Sequence, residues 1–108
     1  MNYYKQFSLL KSLPKKLNDF HLKNSKYPLR INNKSKDKKI YDPVTNLDKA
    51  FEKFIRNTIV KQFSEDAILG EEFLEKHSNN NYKWYIDPID GTRAFMVGAP
   101  TWSNLIGL

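Results

Sequence analysis

A helical hydrophobic pattern between Asp42 and Phe63 is the strongest constraint on the fold of this chain. In DPVTNLDKAFEKFIRNTIVKQF, apolar residues recur every three or four positions, which predicts an amphipathic helix with one buried face. Thr45 is the expected N-cap, and Asp48 three residues later completes the pattern of a capping box. Such a helix needs a second layer to cover its apolar face. Its apolar positions are Leu47, Phe51, Phe54, Ile55, Ile59 and Phe63.

A second helical pattern occupies the first twenty residues. We expect a kink or break at Pro14, because an interior proline removes a helical hydrogen bond and clashes with the preceding turn. The segment KNSKYPLR ends this helix, and LRINNKSKDKKIYD predicts a short strand followed by a lysine-rich loop. The apolar stripe consists of Tyr3, Phe7, Leu10, Leu13, Leu17 and Phe20.

Three short apolar runs predict the strands of a sheet. They are AILG at residues 67–70, WYID at 84–87 and TWSNLIGL at 101–108, with the polar loop EKHSNNNYK between the first two. We therefore expect an α+β fold, with two main helices packed on a mixed, mainly antiparallel sheet. The 108 residues suffice for one domain at most. Because the sequence stops inside an apolar run, we expect residues 1–108 to be the N-terminal portion of one domain whose C-terminal half is absent.

Composition narrows the class of ligand. The chain has no cysteine, which excludes disulfides and thiolate metal sites. Residues 1–61 carry 15 Lys and Arg against 5 Asp and Glu, a net +10, whereas residues 62–108 carry 3 against 7, a net −4. We interpret the basic half as solubilising charge and not as a nucleic-acid surface, because it lacks interleaved aromatic residues. No apolar run is long enough to span a membrane, so we expect a cytoplasmic protein without membrane or nucleic-acid partners.

Acidic residues follow the predicted strands. Glu71 and Glu72 come after the first strand, Asp87 and Asp90 after the second, and Asp48 lies in the first turn of the long helix. Carboxylates at the ends of neighbouring strands lie close together, and carboxylate oxygens are preferred ligands of Mg²⁺. A pair of such ions about 4 Å apart can clamp the attacking and leaving oxygens of a phosphoryl group.

The segment WYIDPIDGTRAF concentrates these features. We expect Pro88 to turn the chain, so that Asp87, Asp90 and the Ile89 carbonyl face one pocket. The DPIDG run also fits a purely structural role as a turn, because Asp, Pro and Gly favour turns. Asp48 alone would be interpreted as a helix cap.

Backbone N–H groups after the second aspartate suit a phosphate. Gly91 and Thr92 begin a short predicted helix, where free N–H groups favour an anion, and the Thr92 hydroxyl could orient a water.

The three blocks WYIDPIDGTRAF, ILGEE and DPVTNLD together resemble the inositol monophosphatase family, whose members are Mg²⁺-dependent, lithium-sensitive phosphomonoesterases related to fructose-1,6-bisphosphatases. The resemblance implies the N-terminal part of that family's layered α/β sandwich. The run DGTRAF followed by GAPTWSNLIGL is more similar to the histidinol-phosphatase branch. It favours histidinol phosphate, and therefore histidine biosynthesis, over inositol phosphate as the small phosphorylated substrate.

The resemblance also implies roles for individual residues. Two or three Mg²⁺ ions would be bound by Glu71, Asp87, the Ile89 carbonyl and Asp90. Catalysis by a metal-activated water, without a covalent intermediate, would use Asp48, Thr92 and Glu71.

Gly91 and Thr92 would hold the phosphate. Four further residues are candidates for substrate or site contacts: Glu72, Arg93, Lys34 and Lys36.

One feature of the family is missing. The resemblance implies a further metal-binding aspartate in a Trp-Asp motif, and the chain contains no such pair. The chain alone is therefore expected to bind its second metal weakly and to be inactive, even if the whole protein is an enzyme. The rival of another class is a fragment that binds a cation or phosphate without catalysis, and a homodimer is a further candidate partner because an exposed apolar edge strand favours association.

Overall fold

The computed structural model describes residues 3–37 and 39–108, which form helices layered on β-structure. The predicted α+β class is confirmed. In chain order the elements are α1 (Tyr4–Asn24), β1 (Ile31–Asn33), β2 (Pro43–Thr45), α2 (Asn46–Gln62), β3 (Ala67–Gly70), β4 (Lys83–Asp90), α3 (Thr92–Met96) and β5 (Ser103–Gly107).

The strands form two sheets. Strand β4 is central in a three-stranded sheet, parallel to β3 and antiparallel to β5, while β1 and β2 form a separate antiparallel pair. The mixed pairing agrees with the prediction. Strand β2 was not predicted, because its three residues, which end at the N-cap Thr45, are too few to show a hydrophobic periodicity. The predicted lysine-rich loop follows β1, and its Lys38 lies outside the described residues.

The core lies between the helices and one face of the larger sheet. On α2, Phe51, Ile55 and Ile59 are completely buried, as the helical pattern predicts. They belong to one cluster with Ile68 of β3 and Trp84 of β4. Every second side chain of β4 up to residue 86 therefore points towards the helices, which orients the end of this strand for the site below.

Helix α1 differs from its prediction in two ways. It continues through Pro14 without a break, because Leu13 and Leu17 on either side of the proline are buried in the core and offset the one hydrogen bond that the proline cannot make. Its buried face is also shifted towards Gln6, Leu9, Leu13 and Leu17, and the expected stripe residues Tyr3 and Phe7 are largely exposed. None of the helices in the described part of the chain is both long and apolar enough to cross a membrane.

A buried carboxylate connects the layers at the start of β3. Asp66 is 2% exposed and accepts hydrogen bonds from Trp84 Nε1 at 2.9 Å, Asn80 Nδ2 at 2.8 Å and Gln6 Nε2 at 3.3 Å. Its donors come from β4, from the loop before it and from α1. Asp66 therefore fixes the N-terminal end of the sheet against the helices.

Replacing Asp66 by alanine should lower the free energy of unfolding by about 3 kcal/mol, because the buried indole N–H and two amide groups lose their acceptor. The matched control is Asp19→Ala, which removes only the exposed ion pair with Lys15 and should cost less than about 0.5 kcal/mol. Urea unfolding followed by tryptophan fluorescence measures both. Equal losses in the two variants would contradict the role of Asp66.

Candidate metal and phosphate site

A cleft of about 290 Å³ lies where β3 and β4 end. Three larger cavities are also present in the described part of the chain. Those of about 540 Å³ between α1 and β5 and about 440 Å³ beside Tyr3 contain none of the predicted carboxylates, whereas one of about 550 Å³ along β3, β4 and β5 is lined by Glu71 and Asp87 but not by Asp90, Gly91 or Thr92. The 290 Å³ cleft is the candidate site, because it gathers the residues predicted to bind metal and phosphate. From the predicted metal and phosphate sets it is lined by Glu71, Asp87, Ile89, Asp90, Gly91 and Thr92.

A β-bulge in β4 shapes this cleft. Asp87 pairs with Leu105 of β5 and Asp90 pairs with Ser103, so two residues of β4 lie opposite the single residue Asn104. Side chains three positions apart point to opposite faces of a regular strand. The extra residue compensates for this alternation, and both aspartates line the same cleft.

The bulge replaces the turn that the sequence led us to expect at Pro88. Both Pro88 and Ile89 are buried within β4, and Asn104 Nδ2 donates a hydrogen bond of 2.5 Å to the Pro88 carbonyl. The proline therefore marks a strand irregularity and not a chain reversal. Sequence reasoning missed Asn104, because nothing in its own segment distinguishes it from a solvent-facing polar residue of an edge strand.

Asp87 has an oxygen suited to a cation. Its side chain is half-buried, and Oδ1 is buried without a hydrogen-bond partner among the described residues. Burial raises the pKa of the Asp87 carboxyl, and the nearby charge of Asp90 raises it further. A buried carboxylate oxygen that lacks a donor is stabilised by a bound cation.

The two glutamates after β3 have different surroundings. Burial raises the pKa of Glu71 to about 6, and the charge of Asp87 adds to the shift. Glu72 Oε1 lies 3.3 Å from Lys34 Nζ, and only 2% of the Glu72 side chain is exposed. Burial raises the pKa of Glu72, whereas Lys34 opposes that shift. Glu71 therefore faces the cleft and its carboxylates, while Glu72 is paired with a lysine.

The basic candidates differ in the same way. Lys34 lines the cleft. Burial acts to lower the pKa of its ammonium, but Glu72, Asp42 and Glu71 together leave the pKa raised. Lys36 is exposed on the following loop and does not line the cleft. Arg93 lines the cleft, but its guanidinium donates to the Tyr41 carbonyl and lies 6.0 Å from the centroid of the Tyr41 ring. Of the two lysine candidates, the structure therefore places Lys34 at the cleft and Lys36 away from it.

Asp48 and Thr92 form a hydrogen-bonded pair, with half-buried Thr92 lining the cleft and Asp48 buried behind it. Asp48 is 1% exposed, and its Oδ2 accepts hydrogen bonds from the Thr45 N–H at 2.8 Å and the Thr45 hydroxyl at 2.5 Å. Its Oδ1 lies 3.1 Å from the Thr92 hydroxyl, which also lies 3.1 Å from the Ile89 carbonyl. The predicted capping box is confirmed, and the same carboxylate reaches the cleft through Thr92.

The start of α3 requires glycine. Gly91 has a φ of +87°, and a Cβ atom there would lie 2.8 Å from the Thr101 carbonyl oxygen. Both the left-handed backbone and the close approach exclude a side chain. This geometry lets the chain pass directly from Asp90 into α3, with Thr92 as its first residue.

The oxygen donors suit a hard divalent cation, although the side chains do not form a complete site as they stand. Within residues 3–37 and 39–108, no group of three aspartate, glutamate or histidine side chains is arranged to hold a metal ion. Glu71, Asp87 and Asp90 nevertheless share one cleft with the Ile89 carbonyl, which gives three carboxylates and one neutral oxygen. Together with the partnerless Asp87 oxygen, this set fits Mg²⁺ better than a softer metal.

Sequence reasoning also missed Glu52. It is fully buried on α2 beside the turn after β3, where charged residues are rare. The available signal is the spacing of Asp48, Glu52 and Arg56, which places three charged residues on one side of an otherwise apolar-faced helix.

Comparison with known proteins identifies the family. The model of the inositol monophosphatase family matches residues 16–108. A histidinol-phosphatase of Chlorobaculum parvum is 47% identical over 66 residues, which are 61% of this chain and 26% of that protein's length. A fructose-1,6-bisphosphatase/inositol-1-monophosphatase of Aquifex aeolicus is 37% identical over 67 residues, 62% of this chain and 25% of its own length.

The fold has solved counterparts. The crystal structure of an IMPase/NADP phosphatase complexed with Mg²⁺ and phosphate superposes with a TM-score of 0.79 over 95% of this chain and 38% of that one. At 21% identity this similarity shows the fold alone. The chain thus spans about a quarter of the length of the curated relatives that it matches.

The crowding of carboxylates predicts a pH dependence in the metal-free chain. A pKa of about 6 for Glu71 in the fold, against an ordinary 4.5, means that its ionised form is disfavoured by folding. Its contribution to stability is therefore present below about pH 4.5 and is lost as the pH rises through 6. In EDTA, the melting temperature of the parent chain should fall relative to that of Glu71→Gln over this range. A constant difference in melting temperature between the two proteins from pH 4 to pH 7 would contradict a raised pKa for Glu71.

Proposed function

The chain belongs to the inositol monophosphatase family, and on that premise we propose that it forms the metal-binding portion of a Mg²⁺-dependent phosphomonoesterase. The observation that carries the proposal is one cleft containing carboxylates, a carbonyl and the Thr92 hydroxyl at the start of a helix, with the buried Asp48 carboxylate hydrogen-bonded to that hydroxyl from behind. The carboxylates and the carbonyl would bind metal, the hydroxyl–carboxylate pair would orient a water, and the start of the helix would hold phosphate. The chain spans about a quarter of its curated relatives, so the activity is proposed for the whole protein.

Four groups would hold two or three Mg²⁺ ions. When bound, the ions neutralise phosphate oxygens and lower the pKa of a coordinated water. Lithium sensitivity belongs to the same proposal, as part of the family resemblance. The ligands are Glu71, Asp87, the Ile89 carbonyl and Asp90.

Thr92 and Asp48 would activate the water. The Thr92 hydroxyl donates to Asp48 Oδ1, so a lone pair of its oxygen remains to accept a proton from water. The water proton passes to Thr92 Oγ1 while the Thr92 proton passes to Asp48 Oδ1. The water oxygen bonds to phosphorus, the ester P–O bond breaks, and the leaving alkoxide takes a proton from solvent. Phosphate oxygens would be held by the backbone N–H groups of Gly91 and Thr92.

Histidinol phosphate is the proposed substrate, with a place in histidine biosynthesis. Support comes from the DGTRAF run and from the similarity to the Chlorobaculum parvum histidinol-phosphatase. Inositol 1-phosphate, or a related sugar or nucleotide phosphate, is the rival within the same chemistry, supported by the Aquifex aeolicus relative. Lys34, Glu72 and Arg93 are the proposed substrate or site contacts beside the phosphate.

A second candidate from another class is a non-catalytic module that binds a cation and phosphate. The observation behind it is Asp87 Oδ1, which is buried without a hydrogen-bond partner among the described residues and accounts for cation binding without requiring catalysis. Activity and metal binding therefore have to be measured separately.

Asp87→Asn should lower Mg²⁺-dependent phosphate release by the whole protein roughly 100-fold or more, because the substitution removes the charge of a proposed metal ligand. The control, Asp19→Asn, alters an exposed acid on α1 and should leave release unchanged. A colorimetric phosphate assay with and without EDTA measures both. Full activity of Asp87→Asn would overturn the metal assignment.

The substrate is tested by comparing kcat/KM for histidinol phosphate and for inositol 1-phosphate in the same preparation. We expect at least a tenfold preference for histidinol phosphate, which corresponds to about 1.4 kcal/mol in transition-state binding. A reversed preference would assign the rival substrate. If Mn²⁺ and inorganic phosphate bind but neither ester is hydrolysed, the non-catalytic function replaces the enzyme.

A further inference from the structure

Glu52 is a fully buried carboxylate of α2 that faces the turn after β3. Its Oε1 accepts the backbone N–H of Glu72 at 2.8 Å, and its Oε2 accepts the backbone N–H of Phe73 at 3.0 Å. Charged carboxylates make stronger hydrogen bonds to N–H groups than neutral acceptors do. One side chain therefore fixes two consecutive backbone groups of the turn after β3.

Arg56 completes this clamp. Its Nε donates to Glu52 Oε2 at 2.9 Å, and its Nη2 donates to the Phe73 carbonyl at 3.1 Å. The guanidinium balances the buried charge, which would be costly alone. Helix α2 thus holds the turn at three backbone atoms, the nitrogens of residues 72 and 73 and the oxygen of residue 73.

Gly70 makes the close approach of Glu52 feasible. A Cβ atom at position 70 would lie 2.5 Å from the Glu52 carboxyl carbon and 2.5 Å from its Oε1. The Glu52 carboxylate cannot move aside easily, because three hydrogen bonds hold it in a fully buried place. The end of β3 and the carboxylate therefore fit together only with glycine.

We propose that Glu52 is a positioning residue for the metal site: by fixing the turn on both sides of Glu71, it holds the Glu71 carboxylate in the cleft beside Asp87. The proposal rests on the proposed function of that cleft. Glu71 lies between Gly70, packed on Glu52, and Glu72, whose N–H is bound to Glu52. Glu71 is itself exposed and directly follows the last residue of β3, so the hydrogen bonds of Glu52 are what fix its turn against α2. The clamp keeps the ligand in place before the cation arrives, which lowers the cost of ordering it on binding.

Glu52→Gln tests the role with little change in volume. A carboxamide has one acceptor oxygen, so it loses at least one of the two backbone N–H groups and places an NH₂ group beside another donor. We expect Mn²⁺ binding, measured by the EPR signal of the free ion, to weaken roughly 10- to 100-fold, as for other groups that orient metal ligands. Exchange of the Glu72 and Phe73 amide hydrogens should accelerate in the metal-free chain.

Asp66→Asn is the matched control. It alters another buried carboxylate, at the opposite end of β3, that binds side chains and does not reach the cleft. It should destabilise the chain without changing Mn²⁺ affinity at temperatures where both variants are folded. Unchanged Mn²⁺ affinity in Glu52→Gln, or equal weakening in Asp66→Asn, would overturn the positioning role.

Gly70→Ala provides an independent test from the other side of the contact. It should weaken Mn²⁺ binding in the parent chain but cost less in the Glu52→Ala background, where the carboxylate that it meets is gone. Equal costs in both backgrounds would contradict the proposal. All of these variants are measured in the whole protein. Absence of Mn²⁺ binding in the unsubstituted whole protein refutes the proposed function itself, whereas normal Mn²⁺ binding in the Glu52 variants refutes only the role of Glu52.

Discussion

Side chains alternate along a strand, so residues 87 and 90 of a regular β4 would point to opposite faces of the sheet. The cleft depends on the β-bulge that removes this conflict. Two residues of β4 face Asn104 alone, and the Asn104 amide donates to the Pro88 carbonyl. The same irregularity brings the Ile89 carbonyl within reach of the Thr92 hydroxyl. Ligand spacing, carbonyl direction and the start of α3 therefore share one local cause.

Bringing like charges together requires support from outside the cleft. Burial and mutual repulsion raise the pKa values of Glu71 and Asp87, so the metal-free arrangement is electrostatically unfavourable. The basic excess of the chain does little to relieve it. Of the basic residues in the described part of the chain, Lys34 and Arg93 line the cleft, but Lys34 is paired with Glu72 and Arg93 donates to the Tyr41 carbonyl. Support comes instead from α2, whose buried Glu52 holds the turn that carries Glu71. A cation that binds there would relieve the repulsion that the protein scaffold maintains.

The sequence predicted long, periodic elements better than single-residue geometry. Helix α2 was predicted with its cap and its buried face, because its 17 residues repeat one pattern. The buried face of α1 was predicted less well, because Tyr3 and Phe7 are large apolar-type side chains that the pattern places in the core but that lie on the solvent side. Pro88 suggested a turn, because proline favours both turns and bulges and only the partner strand decides between them.

The grouping of the acidic residues could be expected from their positions at strand ends, and the structure does bring Glu71, Asp87 and Asp90 to one cleft. Their supports could not be expected. Glu52 acts on amides 20 and 21 positions away, and Asn104 acts on a carbonyl 16 positions away. Such contacts have no local signal, because they exist only after the sheet and α2 have packed.

Asp48 shows how a structural role and a proposed catalytic role can share one side chain. Oδ2 accepts both Thr45 donors and completes the cap of α2, while Oδ1 accepts the Thr92 hydroxyl at the cleft. A capping carboxylate is fixed by the helix that it begins, and α2 is in turn fixed by the core through Phe51 and Ile55. The carboxylate that we propose as the acceptor for a proton from Thr92 is therefore held in place through the packing of the core. The capping role and the proposed catalytic role use different oxygens, so the first does not compete with the second.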